Sequence, residues 1–139
     1  MRLVLDANTV VSGLLWHGAP GKLIDAAQEK TISVYTSAPL LAELQGVLLR
    51  RKFAAQLEAR GLQALEIFEG YAALANIIVP ALISPVILKD PADDAVLACA
   101  LAAQVDLIVS GDSDLLDLKN YHDIPIVSAA EALVRLSKV

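Results

Sequence analysis

Five short aliphatic runs, at residues 2–6, 32–36, 77–79, 106–110 and 124–127, dominate what this chain can fold into. Each is too short and too rich in Val, Ile and Leu for a surface helix, and each reads as a buried strand. Helical segments lie between them. Residues 22–30 form one, and Ser37-Ala38-Pro39 opens another, with Ser37 as N-cap and Pro39 in the first turn, running past Glu43 to position 49. Two more helices are broken near Gly61, a fifth covers residues 95–103, and Ser128-Ala129-Ala130-Glu131 is a capping box that starts a terminal helix. Strands alternating with helices, through connections too long for hairpins, predict an α/β fold with a parallel sheet covered on both faces.

Length and composition narrow the class. The 139 residues suit one domain spanning 1–139, and a chain of this size buries enough surface to need no disulfides. Hydrophobic residues reach 56% against 19% charged, which excludes intrinsic disorder. Only six residues are aromatic, so the apolar excess is aliphatic, and that excess points to burial against a partner, with a homodimer expected. The lone Cys99 lies in an Ala-rich apolar stretch and reads as core, which suits a reducing cytoplasmic compartment. The uncharged run 70–88 is long enough to cross a bilayer, but Pro80, Pro85 and Asn76 interrupt it, so no membrane span is expected. No signal peptide is expected either, because Asp6 and Asn8 interrupt the first apolar segment.

Eleven basic residues against sixteen acidic ones leave a net charge of −5, the wrong sign for a protein that holds nucleic acid by its own field. The acids are unevenly placed. Residues 90–117 contain seven of them: Asp90, Asp93, Asp94, Asp106, Asp112, Asp114 and Asp117. Carboxylates held together repel unless they share protons or bind a cation. Asp6 closes the first strand and Asp112 follows the fourth, at the sheet edge where open α/β folds bind ligands. Hard divalent cations prefer such oxygen donors, and phosphoryl chemistry uses them. Asp90 also suits an N-cap, and Asp93 and Asp94 suit the positive end of a helix dipole. His17 and His122 lack ligand spacing, Cys99 has no base beside it, and Trp16 reads as a packing residue at a helix end.

Leu5-Asp6-Ala7-Asn8-Thr9-Val10-Val11-Ser12, Asp90-Pro91-Ala92-Asp93-Asp94 and Ser110-Gly111-Asp112-Ser113-Asp114 together resemble the motifs of PIN-domain ribonucleases, in order along the chain. The resemblance is strongest to the VapC-like toxin components of bacterial toxin–antitoxin pairs. It implies a three-layer α/β/α domain that binds magnesium or manganese and hydrolyses single-stranded RNA, neutralised by a cognate antitoxin. Its acids carry over as Asp6, Glu43, Asp94 and Asp112, both catalytic and metal-binding, with Asp93 and Asp114 auxiliary. Asn8, Ser12 and Ser110 would orient ligands or phosphate. Ala7 departs from the Thr or Ser that many members carry. Arg50, Arg51 and Lys52 could hold flanking phosphates, or simply favour a helix C-terminus.

Two other functions fit parts of the pattern. In a haloacid-dehalogenase-type phosphatase, Asp6 would be the nucleophile, with Thr36 or Ser37, Lys89, Asp112 and Asp117 following in order. Asn8 then stands where a general acid is required, and an amide has no such proton to give. A non-catalytic interaction domain would leave every activity indifferent to Asp6.

Overall fold

The computed structural model describes residues 1–87 and 90–138, with the backbone alone of Arg51 and Lys52. Strand β1 (Arg2–Leu5) sits mid-sheet, paired in parallel with β2 (Ser33–Thr36) on one side and β4 (Leu107–Val109) on the other. The edge strand β3 (Asn76–Ile77) extends β2, β6 (Ile124–Val127) extends β4, and both pairings are parallel. The order is β3-β2-β1-β4-β6-β5.

One edge strand adds an antiparallel pairing to the expected parallel sheet. β5 (Asn120–Tyr121) runs antiparallel to β6 through a tight turn in which His122 and Asp123 both adopt positive φ. That geometry matches the twist of a two-residue hairpin, which favours glycine or asparagine. This chain makes the turn with neither, so the hairpin left no composition signal.

Alternation along β1 divides the interior. Leu3 and Leu5 face one side of the sheet, and Val4 faces the other. The first side is covered by α1 (Ala7–Leu15), α2 (Ala19–Gln28), α3 (Ala38–Leu48), α4 (Arg51–Ala59), α5 (Ala64–Leu74) and α8 (Ala129–Ser137). The second is covered by α6 (Pro91–Ala103) and α7 (Ser113–Leu118), whose Leu97 and Leu115 are fully buried. The result is a three-layer α/β/α arrangement around a mostly parallel sheet. Among the described residues, no helix is long and apolar enough to cross a membrane.

Helices α1 and α2 are pressed together at Gly13. A Cβ built there would lie 2.7 Å from Ile24 Cγ1 and 2.8 Å from the Pro20 carbonyl oxygen. The second neighbour is backbone and cannot swing aside. Gly46, in the exposed middle of α3, has nothing within 4 Å of the equivalent position. Gly13→Ala is therefore expected to destabilise the fold by about 1–3 kcal/mol. Gly46→Ala should stabilise it by about 0.5–1 kcal/mol through the lost backbone freedom of the unfolded chain. Urea unfolding of both variants checks the contrast, and equal midpoints would contradict it.

Candidate active site

Parallel pairing sends β1, β4 and β6 to one edge with their carboxyl ends level. Asp6 follows β1, its amide bonded to the Val109 carbonyl at 3.1 Å. Its buried carboxylate is fixed twice. Oδ1 accepts from the Thr9 amide at 2.8 Å, capping α1, and Oδ2 accepts from the Ser110 hydroxyl. Having donated its single proton to Asp6, the Ser110 oxygen accepts from the Asp112 amide at 2.9 Å. Asp112 in turn caps α7, its Oδ1 taking the Asp114 amide at 2.8 Å. One relay thus orients Asp6, Ser110 and Asp112 at the edge.

Two helices bring further acids. Asp90 caps α6 by accepting from the Ala92 amide at 2.9 Å, which fixes the rotational phase of the first turn. That phase points Asp93 into the edge, where Glu43 from the middle of α3, Asp6, Asp90 and Asp112 line the same cleft. Asp93 is buried, and its Oδ2 has no hydrogen-bond partner among the described residues. Burial raises its pKa from 3.8 to about 7, reinforced by the negative charges of Asp112, Asp90, Asp6 and Asp114. One carboxylate oxygen each from Asp93, Asp112 and Asp114 lie within 4.8 Å of one another.

The next residue, also expected among the site acids, is placed differently. Asp94 does not turn into the cleft. Its carboxylate accepts from the Ile87 amide at 2.9 Å and from the Val86 amide at 3.2 Å, tying the preceding loop to α6. Successive helical residues are rotated by about 100°, so only one of the two can face Asp112. The helix begins at Pro91, four residues before the expected start, and that start selects Asp93.

Other expected residues fall around the same edge. Asn8, Ser12, Ser110 and Asp112 line an adjoining cleft of about 340 Å³ with Ser128, for which the sequence suggests only a helix cap. Ser128 follows β6 as Asp6 follows β1, and its strand-end position was the available signal. Arg50 stands at the N-cap position of α4 without a side-chain cap bond, its guanidinium 3.8 Å from Glu43, both groups partly exposed. The side chains of Arg51 and Lys52, and all of Lys89, lie outside the described residues. His17 and His122 are exposed. Cys99 is fully buried, which pushes its thiol up to about 11.

A divalent cation suits this donor set. The oxygens are hard, three converge, and the unpartnered Asp93 Oδ2 is the kind of buried atom that a ligand satisfies. A carboxyl whose folded pKa lies above its unfolded value adds stability that is complete below pH 3.8 and lost as pH rises through about 7. Metal-free protein is therefore expected to melt at a lower temperature at about pH 8 than at about pH 5.5. Asp93→Asn should flatten that dependence and match or exceed wild type at the higher pH, whereas Asp94→Asn should lose about 1–2 kcal/mol at both. Thermal melts in EDTA read all three. A steep pH dependence surviving in Asp93→Asn would contradict the electrostatic account.

Comparison with curated protein sequences gives no match. Among solved structures, the chain is similar to the T. brucei RRP44 PIN domain, with 14% identity and a TM-score of 0.49 over 99% of this chain and 81% of that one. The PIN domain family matches residues 2–114, from β1 into α7. PIN domains are generally nucleases. The matched span contains every acid of the cleft, and this chain belongs to the PIN domain family.

Proposed function

We propose that this chain is a metal-dependent endoribonuclease that hydrolyses phosphodiester bonds of single-stranded RNA, acting as a single domain over residues 1–139. The observation that carries the reading is the convergence of Asp6, Glu43, Asp93 and Asp112 on one cleft, with Asp93 Oδ2 buried and without a partner among the described residues. Asp93, Asp112 and Asp114 would hold magnesium or manganese, which supplies positive charge to the phosphate and lowers the pKa of water for in-line attack. The cation also reconciles a net charge of −5 with a polyanionic substrate.

This chain's residues perform the positioning. Asp6 is immobilised by Ser110 and the Thr9 amide, so its carboxylate keeps one orientation without reorganisation as substrate arrives. Glu43 stands across the cleft, close enough to Arg50 for the guanidinium to meet a phosphate entering beside it. The amide of Asn8 and the hydroxyl of Ser12 border the adjoining cleft and can bond phosphate oxygens. The phosphatase alternative leaves Glu43 and Asp93 idle in the middle of the site.

A toxin role and an antitoxin partner extend the proposal. Ile77, Val79 and Leu82 are exposed on and after the edge strand β3, and Leu49 and Leu65 are exposed beside a small apolar groove. Such surface supports docking of a partner helix or of a second copy. A cytoplasmic setting accords with the free Cys99.

The test uses labelled single-stranded RNA and a generic phosphomonoester, each with magnesium, with manganese and with EDTA. RNA should be cut internally only with metal, and the monoester should be untouched. Asp93→Asn should lower RNA cleavage by about 100-fold or more, and Asp94→Asn should retain most of it. Equal cleavage by wild type and Asp93→Asn, or turnover of the monoester, would overturn the assignment.

A further inference from the structure

A second groove opens from the acid site along α1. Asn8 and Ser12 border both the cleft that adjoins the acids and this groove, and its remaining walls are Trp16, Arg50, Phe53 and Gln56. Its volume is about 510 Å³. The layout follows from helix periodicity. Asn8 and Ser12 are four residues apart and share one ridge of α1, and Trp16 caps the end of that helix, about 12 Å along its axis from Asn8. Phe53 and Gln56 are three apart on α4 and share the facing ridge.

Trp16 is a large aromatic residue left partly open on this side. Its indole is 38% exposed although it packs against the buried Phe53, with ring centroids 5.9 Å apart and planes tilted by 54°. The backbone beneath it is held firmly. Its amide bonds to the Ser12 carbonyl at 3.0 Å, and Arg60, just past α4, donates to the neighbouring Leu15 carbonyl. An exposed aromatic face on a fixed backbone, next to an amide that both donates and accepts and a guanidinium, has the chemistry of a nucleobase platform.

We propose that this groove binds an unpaired base of the nucleic-acid strand engaged at the acid site, stacked on Trp16, with Gln56 on the base edge and Arg50 on the intervening phosphate. The inference rests on the nuclease reading for its occupant. Continuity supports it: Arg50 lies 3.8 Å from Glu43 and also lines the groove, so one strand can reach both. The site would sort substrates by the base it accepts, a few residues from the bond to be cut.

Trp16 is the only tryptophan of the chain, so its emission reports on this groove alone. The full chain in EDTA, where metal-dependent cleavage does not proceed, is titrated at low salt with an adenylate hexamer and with a hexamer of the same backbone lacking bases. The hexamer should quench Trp16 saturably, and the base-free strand should not. With labelled hexamer followed by anisotropy, Trp16→Leu should weaken binding roughly 5- to 100-fold, with Trp16→Phe restoring most of it. Gln56→Ala and Arg50→Ala, both at exposed positions, should weaken binding several-fold while keeping the indole signal and the wild-type melting curve. No quench, equal quench by the base-free strand, or full affinity in Trp16→Leu would overturn the proposal. RNA cut in magnesium without quenching would remove the base site and leave the nuclease. Quenching without cleavage would leave the base site and remove the nuclease.

Discussion

Parallel pairing of β1 with β4 is the constraint on which the site depends. Leu5 is registered with Val109, so the residues that follow, Asp6 and Ser110, emerge side by side. That register lets the Ser110 hydroxyl bridge the Asp6 carboxylate and the Asp112 amide. A shift of one residue would turn Asp6 and its partner to opposite faces and dissolve the relay. The same register buries Leu3 and Leu5 under one helical layer and Val4 under the other, so the interactions that hold the fold also aim the acids.

Holding those acids together opposes the fold. Five carboxyl groups, at Asp6, Glu43, Asp90, Asp93 and Asp112, line one small cleft, and the buried Asp93 has an oxygen with no partner among the described residues. The cost is borne by Asp93, whose pKa is pushed up to about 7 by burial and by its acidic neighbours. Asp90 and Asp112 offset part of the repulsion by capping helices, and Asp6 by accepting two hydrogen bonds. Beneath the site, the Tyr71 hydroxyl is buried without a partner among the described residues, and burial raises its pKa, with Cys99 and Asp6 adding to the effect. An interior that strains to keep its acids in place is organised for a cation.

Strand-end acids were legible because an acid after an aliphatic run has few structural explanations. Asp6 and Asp112 were placed that way, and Glu43 by resemblance, and all three line the cleft. The choice between Asp93 and Asp94 was not legible. Two identical neighbours differ only by helix phase, and the phase depends on whether the helix begins at Pro91 or four residues later. The β5–β6 hairpin escaped for a related reason, since its turn uses His122 and Asp123 where glycine or asparagine would have announced it. Trp16 packs on Phe53 as its place at a helix end predicts, but its exposure beside Asn8 and Ser12 appears only once α4 is set beside α1.

The central claim is that Asp93, and not its neighbour, belongs to the metal-binding acids. Crystals of the full chain grown with manganese and measured for anomalous scattering test it most directly. A peak is expected at coordination distance, about 2.0–2.3 Å, from a carboxylate oxygen of Asp93, shared with Asp112 or Asp114, while Asp94 keeps its bonds to the Val86 and Ile87 amides. A manganese ion ligated by Asp94 with Asp93 turned away, or a saturated crystal with no peak in the cleft, would contradict it.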